Sequence, residues 1–413
     1  MKKAGLVITI ILALLALGVG FAGTTAALYI TQPASSNTTT VRFVVSSGDT
    51  TNTVAQHLQD DGLIRNALAF RLYARFKHLD TGIEPGVYLL NPSMTMGQII
   101  TTLQHGKPDE QLAGVPDGLR VAQYAQYFTS LPNFNANDFN TIVKTGVLPD
   151  GTKLWQKYWF VEQPQKNIVD ALEGYLYPDH YYFDANATAT DVVEKMLLAF
   201  AAHFCPGPDS NPAQYTDTNA DCKAHALTIG NTNIFAAMEQ KYYTNNDTQA
   251  IYDALTLGSI VQREILKISD AQGVTDVYYN RYLNIIHHLP SGLTTDVGDR
   301  LQADPTVEYA RDTDNPPKVG QAWWTPLNDT SVSGNSPYNT YTQNGLPPGP
   351  IAAPNWTVLQ AAADPNPSGS SPYFYFLSDS CGNTHYARNN QDFNNLKTKY
   401  LNGSKTCSTS IDS

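Results

Sequence analysis

The sequence predicts an α+β protein with an N-terminal transmembrane helix, a small α+β module and a larger mixed α/β domain. Three observations support this prediction. An uncharged apolar run fills residues 4–30, strand-like alternation changes to helical spacing after Val41, and helical segments alternate with aromatic-rich extended ones after Val115. A chain of 413 residues is also long enough for two or three domains.

Residues 1–31 are predicted to be a cytoplasmic stub followed by a single membrane anchor. The apolar run is long enough to cross a hydrocarbon core of about 30 Å. Lys2 and Lys3 precede it and the next basic residue is Arg42, so the N-terminus is expected inside and the remaining chain outside the cell membrane. A cleaved signal peptide is the alternative, although its apolar region is usually shorter, about 7–15 residues.

Charge excludes some classes of partner. Charged residues make up 15% of the chain, and the net charge of -11 is spread along it without a basic patch. Nucleic-acid binding is therefore not expected. The negative sum also argues against electrostatic adhesion to anionic lipid, so membrane attachment is assigned to the apolar segment.

A polar linker, 32–40, leads into a small α+β module, 41–108. Its predicted elements are a strand at 41–45, a helix from Val54 to Ile64, a helix at 67–76, a strand at 86–90 and a helix at 96–103.

The larger domain is predicted to span 109–400, followed by a tail, 401–413. A helix is expected near 121–131, an aromatic-rich extended stretch at 172–183, and a helix at 190–204 with Thr190 as its N-cap. Two further helices are expected at 251–268 and 274–283. Beyond Asp304 we expect mostly loops and short strands, including 372–377.

The cysteines fit an exported protein. Their spacing matches no metal or redox signature, and three disulfide pairings are possible. Local pairing would close two loops, and free buried thiols are the alternative. The four residues are Cys205, Cys222, Cys381 and Cys407.

Glu264 is the most informative residue. It lies on the apolar face of a predicted helix with Leu257, Ile260, Val261 and Ile268. Burial disfavours the charged form of a carboxyl group and raises its pKa, which is what a general acid near neutral pH requires. The alternative is a structural ion pair, for which Arg281 is the candidate partner.

Five strings in order resemble the YceG-like, or MltG, family of endolytic murein transglycosylases. They are Leu172-Glu-Gly-Tyr-Leu-Tyr-Pro-Asp179, Leu257-Gly-Ser-Ile-Val-Gln-Arg-Glu264, Tyr279-Asn-Arg-Tyr-Leu283, Leu301-Gln-Ala-Asp-Pro-Thr-Val307, and Ser336-Pro-Tyr-Asn-Thr-Tyr341 followed by Gly345-Leu-Pro-Pro-Gly-Pro-Ile351. The resemblance covers about residues 41–396, and it implies that 41–108 is a LysM-like domain and 109–400 the catalytic domain.

The chain departs from the family pattern at four places. Residues 284–299 look inserted, the Cys205 to Cys222 loop looks extra, Asp117 stands where Glu is usual, and Gly258 replaces the usual Ala. The inserted segment puts the shape of the substrate groove in doubt more than the chemistry.

The resemblance implies a membrane-anchored enzyme that cleaves the β-1,4 bond between N-acetylmuramic acid and N-acetylglucosamine within peptidoglycan strands. The C6 hydroxyl of the sugar attacks C1 and leaves a 1,6-anhydro end, with Glu264 as acid and then base. Such substrate assistance is a known exception to the rule of two carboxylates. The implied activity is termination or trimming of nascent strands.

Seven further residues are predicted to bind substrate, and each has a structural alternative. Asp304 could cap a turn, Glu173 could be a buried structural acid, Arg281 could serve an ion pair, and the tyrosines could pack ordinarily. The set is Gln302, Asp304, Tyr338, Asn339, Tyr341, Glu173 and Arg281.

No cofactor is expected. His287 and His288 have no companions at ligand spacing, so no metal site is predicted. Peptidoglycan polymerases are partners implied by the resemblance. Two other functions stay open: a non-catalytic peptidoglycan-binding scaffold, and a muramidase-type hydrolase with Glu173 or Asp304 about 6.5–9.5 Å from Glu264.

Overall fold

The computed structural model describes residues 32–46, 48–77, 83, 86–105, 110–184, 187–206, 219–229, 231–287, 297–318, 320–327, 334–366 and 372–401. They form two compact units. The first contains the described residues up to Ala113 with Ser130–Asn133 and His180–Ala187, and the second contains Gly114–Thr129, Phe134–Asp179 and the described residues from Thr188 onward.

Helices and short antiparallel sheets occur together, which confirms the α+β class. Among the residues described, no helix is both long and apolar enough to cross a membrane. The predicted anchor, 1–31, lies outside them and stays a prediction. Residues 402–413 of the predicted tail also lie outside the described ranges.

In the first unit, three helices pack with two strands of a four-stranded sheet around one hydrophobic core. Strand order is β1-β2-β3-β4, and β1 pairs antiparallel with β2 from Val41↔Leu90 to Val45↔Gly86. Alternation in β1 buries Phe43 and Val45. The elements are β1 (Val41–Val45), α1 (Thr51–Asp60), α2 (Ala67–Phe76), β2 (Gly86–Leu90), α3 (Met96–His105), β3 (Glu110–Gly114) and β4 (His180–Asp184).

The second unit is mainly helical, with two small hairpins. Its helices are α4 (Ala136–Thr145), α5 (Leu154–Lys157), α6 (Ala189–Phe204), α7 (Asn219–Ala224), α8 (Ile234–Lys241), α9 (Asp247–Glu264), α10 (Ala271–His287), α11 (Asp304–Asp314), α12 (Trp356–Ala363) and α13 (Asn390–Tyr400). The hairpins are β5 (Thr228–Ile229) with β6 (Thr232–Asn233), and β7 (Tyr375–Ser378) with β8 (Thr384–Ala387).

Helix α9 is the centre of this unit because it packs against α8, α10 and α12. Asn246 caps its first turn by accepting from the backbone N–H groups of Thr248 and Gln249. Gly258 faces α12, and a Cβ there would stand 3.4 Å from the Ala362 side chain, which is an ordinary contact distance. The helix is therefore fixed along its length before it reaches Glu264.

Several predicted helix bounds are wrong: the helix expected from Val54 to Ile64 spans Thr51–Asp60, the one expected at 251–268 spans Asp247–Glu264, and two more predictions fail for local reasons. Thr188, rather than Thr190, caps α6, and its hydroxyl and the Asp191 carboxylate form a reciprocal capping box. The helix predicted at 121–131 is replaced by two 3-10 turns, Val121–Gln123 and Ala125–Phe128. Side chains there bond to nearby carbonyls and compete with regular helical bonding.

The prediction of mostly loops and short strands beyond Asp304 includes the strand β7 but misses three helices, α11, α12 and α13. The Asp-Pro pair at 304–305 suggested a turn, but proline is compatible with the first turn of a helix and Pro305 occupies that place in α11. Helix α13 has no fully buried residue, and Phe393 and Leu396 on it are only partly buried against a small core cluster, so its apolar signal is weak.

Cys205 and Cys222 form a disulfide, which is one of the pairings left open by the sequence. Local pairing would also join Cys381 to Cys407, but Cys407 lies outside the described residues, so that bridge stays a prediction.

Candidate active site

Glu264 is the last residue of α9. Leu257, Ile260 and Val261 are fully buried on this helix, as the periodicity predicted. The prediction that Ile268 continues the buried face is wrong, because the β-branched Ile265 takes extended backbone, ends the helix and leaves Ile268 about half exposed, at 49%.

The Glu264 carboxyl group is surrounded densely by protein yet keeps part of its surface open to a pocket. The pKa of this carboxyl is raised to about 7, chiefly by burial and also by the nearby Asp304 charge, while the Tyr278 hydrogen bond and Arg281 oppose the rise. The Tyr278 hydroxyl donates a hydrogen bond of 2.6 Å to Oε1. The carbonyl end of α9 adds negative potential, which also favours the protonated form.

The pocket has a volume of about 590 Å³. Its walls come from the end of α9, from α10, from the start of α11, and from β7 and α13. The lining residues are Glu264, Leu266, Tyr278, Arg281, Gln302, Asp304, Tyr341, Tyr375, Phe376, Leu377, Ser378, Asn390, Phe393 and Lys397. Of the eight site residues proposed from sequence, the structure thus brings five together here.

Asp304 is the first residue of α11 and points its carboxylate at this pocket rather than capping the helix. The N-cap is Ala303, and Asp304 Oδ1 accepts a hydrogen bond from the Tyr341 hydroxyl. Gln302 has a φ of +54°, a left-handed conformation that costs energy in a residue with a side chain and often marks functional loops. Its N–H donates to the Thr340 carbonyl, which fixes the loop before Asp304.

Arg281 is buried in the pocket wall and bonds mainly to backbone. Its Nε donates to the Phe374 carbonyl at 2.7 Å, and its Nη1 donates to the Leu301 carbonyl. These bonds connect α10 to the strand and the loop that face it. Arg281 therefore stabilises the pocket wall through these bonds, and its positive charge lowers the pKa of Glu264.

Glu173 does not line the pocket. It is buried, with its carboxylate accepting from the Val121 N–H at 3.0 Å and from the Tyr309 hydroxyl at 3.2 Å. Burial and then the neighbouring Asp170 charge raise its pKa to about 8, while Arg120 opposes the rise. These contacts fit the structural alternative for Glu173, and a role in binding stays a prediction.

Tyr338 and Asn339 are also buried outside the pocket lining. The Tyr338 hydroxyl accepts a hydrogen bond from the Val169 N–H at 3.4 Å. Asn339 donates to the Gly334 carbonyl at 2.6 Å and accepts from the Tyr341 N–H at 3.0 Å. Asn339 thus supports the segment that presents Tyr341, which itself lines the pocket.

Sequence reasoning missed Tyr278 and the wall formed by β7 and α13. The signal for Tyr278 was present, because it lies one helical turn before Arg281 and therefore faces the same side of α10. No comparable signal marks Lys397, an exposed residue on a mostly polar helix. Within the described ranges, no group of three or more His, Cys, Asp or Glu side chains could hold a metal ion.

The geometry supports proton transfer by one carboxyl group. A pKa near 7 lets Glu264 donate a proton and take one back at neutral pH. Asp304 supplies a second acidic side chain in the same pocket, while Lys397 and Arg281 supply cations on other walls.

Comparisons with known proteins agree with the motifs. The model of the YceG-like family matches residues 43–399. An endolytic murein transglycosylase of Bacillus subtilis is 26% identical over 371 residues, covering 88% of this chain and 85% of that protein. One from Streptococcus pneumoniae is 26% identical over 374 residues, covering 87% of this chain, which spans 58% of that longer protein.

A crystal structure of a YceG-like protein from Listeria monocytogenes is also similar. It has a TM-score of 0.50 and 25% identity, with 87% of this chain and 99% of that chain covered. Because the family match takes in nearly all of both compact units, the chain belongs to the YceG-like family.

Proposed function

We propose that this protein is an endolytic murein transglycosylase that cleaves the N-acetylmuramic acid to N-acetylglucosamine β-1,4 bond within peptidoglycan strands and leaves 1,6-anhydro ends. The observation that carries the proposal is the pocket around Glu264, whose half-buried carboxyl has a pKa raised to about 7. Family membership and the names of the relatives support the same reaction.

Glu264 acts first as an acid. Its protonated carboxyl donates to the glycosidic oxygen as the bond to C1 breaks, and the substrate's acetamido group stabilises the positive charge that develops at C1. The C6 hydroxyl of the same sugar then forms the new bond to C1 and gives its proton to the Glu264 carboxylate. Water is not consumed, and Glu264 returns to its starting state.

The residues around Glu264 orient its carboxyl group, maintain its protonation and bind the substrate. Tyr278 fixes the orientation of the carboxyl through its hydrogen bond, and Asp304 keeps the proton on Glu264 by charge repulsion. Gln302 and Tyr341 offer amide and hydroxyl groups to the sugars. The exposed ammonium of Lys397 suits the carboxylates of the peptide stems.

The hydrolase alternative has one specific observation in its favour: Asp304 shares the pocket with Glu264. In that reaction Asp304 would hold a water as a base. A non-catalytic scaffold needs no proton donor in the pocket, whereas Glu264 places a carboxyl with a pKa of about 7 there.

Digestion of peptidoglycan strands in ¹⁸O-labelled water separates the two reactions. A transglycosylase yields anhydro-ended fragments without label, whereas a hydrolase yields reducing ends that carry one ¹⁸O atom. Mass spectrometry of the products therefore tests the proposal, and labelled reducing ends as the main product would overturn it.

The predicted anchor supports a place for this enzyme at the outer face of the cell membrane, close to nascent strands and their polymerases. Deletion of residues 1–31 should leave an active protein while abolishing membrane localisation. Activity that is lost in a folded truncated protein would count against an independent catalytic part.

A further inference from the structure

Helix α2 of the first unit carries an exposed apolar stripe. Leu68, Leu72 and Phe76 are spaced four residues apart and are exposed by 54%, 61% and 79%. Residues at this spacing lie on one face of a helix. The core-facing side is separate, since Ala67, Phe70 and Ala74 are buried. Three large apolar side chains in a row are therefore presented to solvent.

Two arginines border the stripe. Arg71 and Arg75 precede Leu72 and Phe76 by one residue, which places both along the same edge of the exposed face at about 100° per residue. Arg75 is exposed and Arg71 is half-buried, with a long contact of 3.4 Å to Asn52. An apolar face with a basic edge is the pattern of helices that lie in a membrane interface.

The position of α2 in the chain favours a membrane over a protein partner. Arg65, two residues before the helix, donates from Nε to the Ala34 carbonyl at 3.1 Å. Ala34 follows the apolar run of 4–30 by only four residues, which span at most about 14 Å. If that run is the anchor, the start of α2 lies close to the point where the chain leaves the bilayer.

Local charge also permits this contact, although the whole chain is acidic. Residues 32–105 contain five basic and five acidic residues, so the net charge of -11 does not come from this segment. The net negative charge of the whole chain therefore does not prevent the arginine edge of α2 from contacting anionic lipid.

We propose that the α2 face formed by Leu68, Leu72 and Phe76, with Arg71 and Arg75, docks on the anionic surface of the membrane. The apolar side chains enter the interface while the guanidinium groups pair with lipid phosphates. This contact is separate from catalysis and rests on the proposed anchor. It would hold the first unit flat on the lipid surface.

A spin label tests the proposal in the full chain. The label is attached at Phe76→Cys, with Gln56→Cys on the exposed side of α1 as the matched control and the unsubstituted chain as background. The proteins are reconstituted into phosphatidylglycerol or phosphatidylcholine vesicles. Relaxation by oxygen, which enters lipid, is compared with relaxation by a water-soluble nickel chelate.

In phosphatidylglycerol vesicles we expect the label at position 76 to favour oxygen and the label at position 56 to favour nickel. The double variant Arg71→Gln/Arg75→Gln should lower the ratio of docked to undocked α2 by about thirtyfold, since each basic residue near an anionic surface contributes a factor of about five. Phosphatidylcholine should have a similar effect.

Three results would overturn the proposal: nickel access at position 76 equal to that at position 56, a chain that does not float with vesicles, or a label immobilised without oxygen access. The last result would mean that protein covers the face, either a second chain or another segment of this one. Digestion of strands by the double variant should stay unchanged, which separates this proposal from the proposed reaction.

Discussion

Glu264→Gln should stabilise the second unit at alkaline pH. The folded state raises the pKa of this carboxyl from 4.5 to about 7, so it retains a proton that the unfolded chain releases. Below about pH 4.5 both states are protonated and the group has no effect. As pH rises toward 7 the fold loses stability, and above 7 the full penalty is present.

The size of the effect follows from the pKa. A rise from 4.5 to about 7 corresponds to at most about 3 kcal/mol. Because the carboxyl keeps part of its surface open to the pocket, solvent screening reduces this value, and we expect about 1–2 kcal/mol. Glutamine does not titrate and can still accept the Tyr278 hydrogen bond, so it removes the penalty without changing the contacts.

Urea unfolding at pH 5 and pH 8.5 measures this effect. All five tryptophans, Trp155, Trp159, Trp323, Trp324 and Trp356, lie in the second unit, so their fluorescence reports on that unit alone. The gain in unfolding free energy from Glu264→Gln should be larger at pH 8.5 than at pH 5, and Asp299→Asn, at an exposed site, controls for the removal of one carboxylate. An equal gain at both pH values would refute the argument.

Three further predictions concern the pocket and its supports. Activity that needs protonated Glu264 falls as pH rises through the pKa of this carboxyl. Because Tyr278 lowers that pKa and Asp304 raises it, Tyr278→Phe should move the fall in activity to higher pH and Asp304→Asn should move it to lower pH, each by about 0.5–1 pH unit. Shifts in the same direction would contradict the assigned roles. Gly258→Ala should raise the free energy of unfolding by up to about 1 kcal/mol, because the added methyl meets α12 at ordinary contact distance and alanine favours a helix. Denaturant titration measures this change. A lower free energy of unfolding would mean that α9 and α12 pack more tightly than described. Lys397→Gln should raise KM for peptide-bearing strands about threefold to tenfold with little change in kcat. Lys399 lies on the same helix outside the pocket lining, so Lys399→Gln should leave KM unchanged. Equal effects on KM would mean that only the overall charge matters.

Local patterns in the sequence were enough to predict several elements. The strand at 41–45, the helix at 67–76 and the strand at 86–90 have the predicted bounds. Each depends on short-range physics: alternation in β1, and a capping Asn66 side chain that accepts from the Ala69 N–H at the start of α2. The apolar face that leads to Glu264 was likewise visible in its spacing.

Tertiary contacts, which the sequence does not reveal, determine which of the motif residues line the pocket. The motif strings contain both pocket residues, such as Asp304 and Tyr341, and buried residues such as Glu173 and Tyr338, and nothing in the strings separates the two groups. Helix α13, which contributes Lys397 to the pocket, has only Phe393 and Leu396 packed against a small core cluster, so its periodic signal is weak.

The activity of Glu264→Gln on peptidoglycan strands tests whether this carboxyl group carries out the reaction. Glu162→Gln is the matched control, because burial also raises the pKa of Glu162 but this residue does not line the pocket. We expect Glu264→Gln to keep the fold and strand binding but to release about a hundredfold fewer anhydro-ended fragments, and Glu162→Gln to stay close to wild type. Anhydro-ended fragments released by Glu264→Gln at the wild-type rate would contradict this expectation.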